Sequence, residues 1–194
     1  MSAINQNLPH LLLAFVLLLA ATLASPAELR EITVELENDH YYLKSEVWLA
    51  ASKEDLYRVL TDYDLYVRIS SGFVESYNVK AESDGKPRFY TRMQGCVLVF
   101  CKSFERYGYL ILEPQSNIVA VVDPEVSDFE YSRESWELIS EGDGTVMIYN
   151  FEMDPGFWVP PVIGPYYIKR TLKRGGEDAI QRIEALAQGR DPDD

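Results

Sequence analysis

The chain has 194 residues and a formal net charge of −13, with 18 Lys+Arg against 31 Asp+Glu. So acidic a surface argues against nucleic acid as a partner, because phosphates require a basic footprint, and against broad adsorption to anionic lipid. Two cysteines and two histidines leave little material for a metal centre or a histidine-based triad.

Residues 1–27 carry no Lys, Arg, Asp or Glu, and 11–24 is an apolar run of Leu, Ala, Val and Phe with one Thr. That run is short of the roughly 20 residues needed to span a bilayer and fits the core of a cleaved secretory leader. Thr22 and Ala24 are small residues placed for cleavage before Ser25, and Ala27 is a second candidate. The expected division is a leader over 1–24, one domain over 28–189 and a disordered acidic tail over 190–194. A periplasmic or secreted location follows; an uncleaved anchor over 8–24 is the alternative.

Residues 31–36 alternate, with Ile32, Val34 and Leu36 on one face. Asn38-Asp39 is a turn signal, and 41–50 alternates again, which predicts a β-hairpin. Ser52, three residues before Asp55, opens a capped helix over 52–63 whose stripe is Leu56, Val59, Leu60 and Tyr63. From Phe73 the pattern is strand and turn: 73–81, 88–94, a nearly continuous apolar run over 97–102, then 107–112, 118–122, 135–140 and 145–153. Short turns between such runs predict an antiparallel sheet with one face on a core. Four prolines within 155–165 argue against a helix there. Residues 167–188 show helical spacing, interrupted by Gly175-Gly176 and closed by Gly189.

The helix KEDLYRVLTDYD after a strand ending in WLAAS resembles the first helix of START-like, helix-grip proteins. Trp136, the GDGT turn, the strand TVMIYNFEMDP and the long last helix extend the likeness. Within that superfamily the chain is most similar to coenzyme-Q-binding and polyketide cyclase/dehydrase-like proteins. The resemblance covers residues 32–187. It implies an α+β fold in which a curved antiparallel sheet wraps around the C-terminal helix, with a ligand cavity between them. It also implies a lipid, quinone, sterol or polyketide as the kind of molecule bound.

If alternation holds, Phe89, Met93, Trp136, Met147, Tyr149 and Phe151 face that cavity, with Tyr63 from the first helix. They line a pocket or simply fill a core. Phe157, Trp158, Pro160, Pro161 and Ile163 form an apolar segment suited to a lid. Lys169, Arg170, Lys173 and Arg174 follow it, and aromatic beside basic residues suits transient membrane contact. No catalytic residue, metal or cofactor is assigned. Glu134 or Asp154 could do acid–base work only if buried, and Tyr63, Tyr149 and Arg92 could orient a carbonyl or quinone oxygen. Cys96 and Cys101 are free thiols, or a disulfide if a bulge or tight turn lies between them, because five residues of regular strand span ~16 Å. The expectation is a monomeric binding protein for a hydrophobic small molecule or lipid, with a cyclase/dehydratase or a ligand-free envelope module as alternatives.

Overall fold

The computed structural model describes residues 27–97, 100–154, 156 and 163–193. The expected leader, anchor and cleavage positions lie outside them, as do Phe157, Trp158, Pro160, Pro161 and the side chain of Ile163. Among the described residues no helix is long and apolar enough to cross a membrane.

Strands β1 (Glu28–Glu37) and β2 (His40–Leu49) form the expected hairpin. Asn38 and Asp39 turn it with φ of 50° and 67°, the two consecutive left-handed residues that a two-residue hairpin with native twist requires. Helix α1 (Lys53–Thr61) starts at Ser52, whose Oγ accepts from the Asp55 N–H at 3.1 Å. Leu56, Val59 and Leu60 bury its inner stripe. The helix is shorter than expected: Asp62 leaves the helical region, and Tyr63 opens a 3₁₀ turn before α2 (Tyr66–Ile69). Asp62 and Asp64 cap this corner, their carboxylates accepting from Asn78 Nδ2 at 2.8 and 3.2 Å.

Strands β3 (Phe73–Val79), β4 (Arg88–Val97), β5 (Phe100–Glu113), β6 (Asn117–Val122), β7 (Tyr131–Glu141) and β8 (Gly144–Asp154) follow. All pair antiparallel in one eight-stranded sheet of order β1-β2-β8-β7-β6-β5-β4-β3. Reading 97–102 as one apolar strand was wrong. The chain reverses after Val97, which lies in register with Phe100, and Cys96 lies in register with Cys101. The distance objection to a disulfide therefore disappears, and Cys101 is disulfide-bonded. The sequence left a tight turn here as the alternative, with Gly95 its only turn-type residue, and that glycine lies within β4.

Helix α3 (Ile163–Ala187) begins earlier than the prolines suggested. Pro165 falls in its first turn, where the missing N–H has no intrahelical partner to lose. The helix also runs unbroken through Gly175-Gly176. A Cβ on Gly176 would come within 3.1 Å of Ile32 Cδ1 and within 3.8 Å of Leu43 Cδ1, so this glycine lets the helix lie close against β1 and β2. Gly189 ends it at φ 71°, with Gly189 N–H on Leu186 O at 3.1 Å and Arg190 N–H on Ala185 O at 2.8 Å. This paired pattern satisfies the last carbonyls. The tail is tied down as far as Asp193: Asp191 pairs with Arg68 at 3.5 Å and Asp193 with Arg182 at 2.8 Å.

Helix α3 touches β1 and β2 at one end of the sheet order and β4 near the other. One helix can do this only if the sheet curls around it. The two glycines differ in surroundings, and this gives a test. Nothing lies within 4 Å of a Cβ built on Gly175. Gly175→Ala should therefore stabilise the protein by about 1 kcal/mol. Gly176→Ala should gain less or lose, because Ile32 must move. Urea titration of both variants checks the difference, and equal gains would mean that Gly176 packs loosely.

Candidate functional site

Alternation along the strands decides which side chains enter the grip. Phe89, Thr91 and Met93 enter from β4, and Phe104, Arg106 and Gly108 from β5. Strand β7 contributes Ser132, Glu134 and Trp136, and β8 contributes Met147, Tyr149 and Phe151. All seven expected cavity residues lie on this concave side. Tyr63, Phe89, Trp136, Met147 and Phe151 are buried, while Met93 and Tyr149 are half-buried. Tyr63 stacks between two other rings, 4.0 Å from Tyr66 and 4.2 Å from Phe89 between centroids. Trp136 stands 5.2 Å from Tyr149, its register partner.

The concave face is not uniformly apolar. Its large apolar cluster joins α1, α2, the end of α3 and the sheet. A smaller one gathers Tyr41, Leu43, Phe129, Phe151 and Met153. Between them lies a buried charge pair. Arg106 is 2 % exposed and Glu134 5 %, and the Arg106 Nη2 donates to Glu134 Oε1. Tyr149 Oη donates to Glu134 Oε2 at 3.0 Å, so both carboxylate oxygens are engaged. The guanidinium carbon stands 6.0 Å from the Phe89 ring centre and 5.9 Å from that of Phe151, in cation–π range. Burial works against the charge on Arg106, but the facing Glu134 carboxylate and the surrounding tyrosine oxygens hold its pKa above the ordinary value.

Three buried polar atoms around this pair lack a hydrogen-bond partner among the described residues: Thr91 Oγ1, Arg106 Nε and Ser132 Oγ; the Tyr63 hydroxyl bonds with that of Tyr66. Thr91 is the register partner of Arg106, and Ser132 lies two positions from Glu134 on the same face. Burial, followed by the Glu134 charge, raises the phenol pKa values of Tyr63 and Tyr149 far above their ordinary range. Tyr66 is raised likewise, by burial and by Tyr63. The candidate site is thus a neutralised ion pair between the Phe89 and Phe151 rings, with buried hydroxyls beside it.

Sequence reasoning placed these side chains on the inner face of the sheet and missed the ion pair among them. Arg106 lies in phase with Leu110 if β5 is extended back from the expected 107–112, so the alternation itself carried the signal. Glu134 was noted only as a carboxylate that burial could make useful. Arg92, by contrast, faces outward, half-exposed and 2.9 Å from Glu75, and is not part of the site. Asp154 and His40 lie at the rim, where Glu152 Oε1 stands 3.1 Å from His40 Nδ1. The opposite face of the sheet carries a separate polar groove of about 470 Å³ that includes Thr33, Lys44, Ser135 and Asn150. It shares no polar group with the ion pair.

No protein-family model matches the chain, and no curated protein does. Solved structures do. A STAR-related lipid transfer protein from Xanthomonas axonopodis superposes with a TM-score of 0.60 at 16% identity, over 85% of this chain and 98% of that one. Human STARD10 gives 0.59 at 12% identity, over 97% and 81%. The di-domain ARO/CYC StfQ from the steffimycin biosynthetic pathway gives 0.57 at 12%, over 77% and 52%. The chain has the START-like helix-grip fold, an α+β architecture of a curved antiparallel sheet and a C-terminal helix.

Two outcomes follow from the buried cluster. Arg106→Met leaves Glu134 buried without its counter-charge and should cost about 3–5 kcal/mol, most of it regained in Arg106→Met/Glu134→Leu. Equal urea midpoints for the single and double variants would sink the pairing argument. The tyrosines give a pH dependence. Unfolded phenols lose their protons near pH ~10, while Tyr63, Tyr66 and Tyr149 keep theirs in the native state. The native state then binds more protons, so stability falls as pH rises above that point. Each tyrosine adds a slope of about 1.4 kcal/mol per pH unit. Tyr149→Phe should flatten the alkaline limb by one such increment in urea titrations, and an unchanged limb would show Tyr149 ionising freely.

Proposed function

We propose that this protein is an exported, monomeric carrier that holds one hydrophobic molecule non-covalently inside the grip, a lipid or an isoprenoid quinone. The observation that carries the reading is the set of unpartnered polar atoms around the Arg106–Glu134 pair. A buried donor or hydroxyl without a partner is costly, and the oxygen of a ligand head would supply the missing partner. Because Glu134 already neutralises Arg106, the fitting head is an uncharged acceptor such as a quinone, ester or hydroxyl oxygen rather than a free anion. Apolar walls would bind the remainder at ~25 cal/mol per Å² removed from water. The lipid-transfer and START proteins among its structural neighbours support hydrophobic binding. A cyclase reading, suggested by the ARO/CYC neighbour, needs a buried ionisable residue at the cavity, a condition that Glu134 meets at 5% exposure. Glu134 is engaged at both oxygens, which favours the carrier.

Transient membrane contact belongs to the same reading. Tyr166 is 60% exposed, and Lys169, Arg170, Lys173 and Arg174 on the same helix have no acidic partner among the described residues. Native mass spectrometry of protein purified gently from its envelope fraction should show one bound lipid or quinone per chain. Its release to vesicles should be faster with anionic lipid and slower in Lys169→Glu/Lys173→Glu. A protein that stays empty and ignores added lipids and quinones would end the carrier reading.

A further inference from the structure

The sheet has two edges, and the described residues close only one of them. Strand β3 ends the order on one side, and the corner at Asp62 and Asp64 packs along it. Asp64 Oδ1 accepts from the Asn78 N–H at 3.0 Å, and Ser76 Oγ donates to Tyr63 O. On the other side β1 pairs only with β2, and no described residue lies beyond it in the sheet. The main-chain N–H and C=O groups of β1 that face away from β2 have no partner among the described residues. Such a row is a template for a further strand.

The residues of this edge decide what can join it. A bulge at Arg30 interrupts the register between Leu29 and Glu31, and the Arg30 side chain is held by Glu141 and Glu46. Beyond the bulge, 31–37 is regular, and alternation puts Glu31, Thr33, Glu35 and Glu37 on the convex face. Ile32, Val34 and Leu36 face the α3 side and are half-buried, so part of their apolar surface still meets water. A second copy of β1 is a poor occupant. It would set Glu31, Glu35 and Glu37 beside the same glutamates of its partner, and like charges across a strand pair are destabilising. A strand with cations on its convex side and apolar residues on the other reverses both effects.

The convex groove of about 470 Å³ lies beside this edge, with Glu31, Thr33 and Glu35 on its near bank and Tyr42 and Glu152 farther in. Neighbouring strands lie about 4.8 Å apart, so a lysine or arginine on an added strand can reach over β1 into the groove. Glu35 has no ion-pair partner among the described residues. The cations of the groove do not bar the way: Lys44 is paired with Glu31 at 3.5 Å, and Arg133 lies on the far bank, on β7. We propose that the free edge of β1 is a docking site for an extended segment of a partner protein in which basic and apolar residues alternate. Main-chain hydrogen bonds to β1 supply the affinity, and the acidic groove selects the basic side chains. The net charge of −13 draws such a segment towards the molecule.

The proposal goes beyond the carrier reading and does not rest on it, and its test needs no lipid. Purified protein is titrated calorimetrically with an acetylated octapeptide alternating lysine and valine. Two controls have the same composition and charge, a block isomer with the lysines first and the valines last, and the alternating peptide N-methylated at every residue. The alternating peptide should bind about tenfold or more tightly than either control, because only it can pair with β1 while presenting one face of cations. Glu31→Lys/Glu35→Lys should weaken it by about tenfold, with the thermal unfolding midpoint retained. Amide hydrogen exchange over 31–37 should slow when the peptide is added. Absence of binding, equal binding of the three peptides, or slowed exchange only elsewhere in the chain overturns the proposal.

Discussion

One helix has to cover the concave face of eight strands, and the other features of the molecule are arranged around that demand. An α-helix with its side chains is only about 10–12 Å across, so the sheet must curl until strands near both of its ends touch α3. Glycine at position 176 lets the helix sit close to Ile32 and Leu43. Near its end, Glu184 accepts from the Ala27 and Ala50 N–H groups and Gln188 Nε2 donates to Ala50 O, which fixes where the helix docks. The short helices α1 and α2 and the 3₁₀ turn between them close the far side of the grip, supplying Leu56, Val59, Leu60, Tyr63, Tyr66 and Ile69 to the core.

A grip of this shape does not pack with apolar residues alone. Arg106 and Glu134 sit between the two apolar clusters, and neither would be tolerated there without the other. Tyr149 belongs to both clusters and hydrogen-bonds to the pair, so it joins the packing to the polar centre. Such a centre contributes little net stability, since a well-packed apolar replacement of the pair would serve the fold as well.

The molecule is also polar along α3. At one end, the buried carboxylate of Glu184 accepts from the Ala27 and Ala50 N–H groups. At the other, the first turns carry Tyr166 and four cations without acidic partners among the described residues, in a chain whose total charge is −13. At physiological salt, charges more than about 8 Å away are largely screened. A local basic face can therefore act on its own surroundings despite the acidic remainder.

The sequence by itself determined most of the element order, because alternation and helical spacing are local properties of the chain. It placed the first hairpin, the Ser52 cap, the inward-facing side chains of Phe89, Trp136 and Phe151 and the Gly189 stop. It misread the β4–β5 hairpin, whose reversal after Val97 carries no turn residue, and the start of α3, where Pro165 occupies a position that tolerates proline. What only the tertiary structure decided was which polar groups meet. Arg106 and Glu134 are 28 residues apart, and Ala27 and Glu184 are 157 apart. Each looks like an ordinary surface charge or small residue until sheet curvature and the α3 docking bring its partner within hydrogen-bond reach. Periodicity can tell which face a side chain takes, but not which distant residue waits on the same face at the same height.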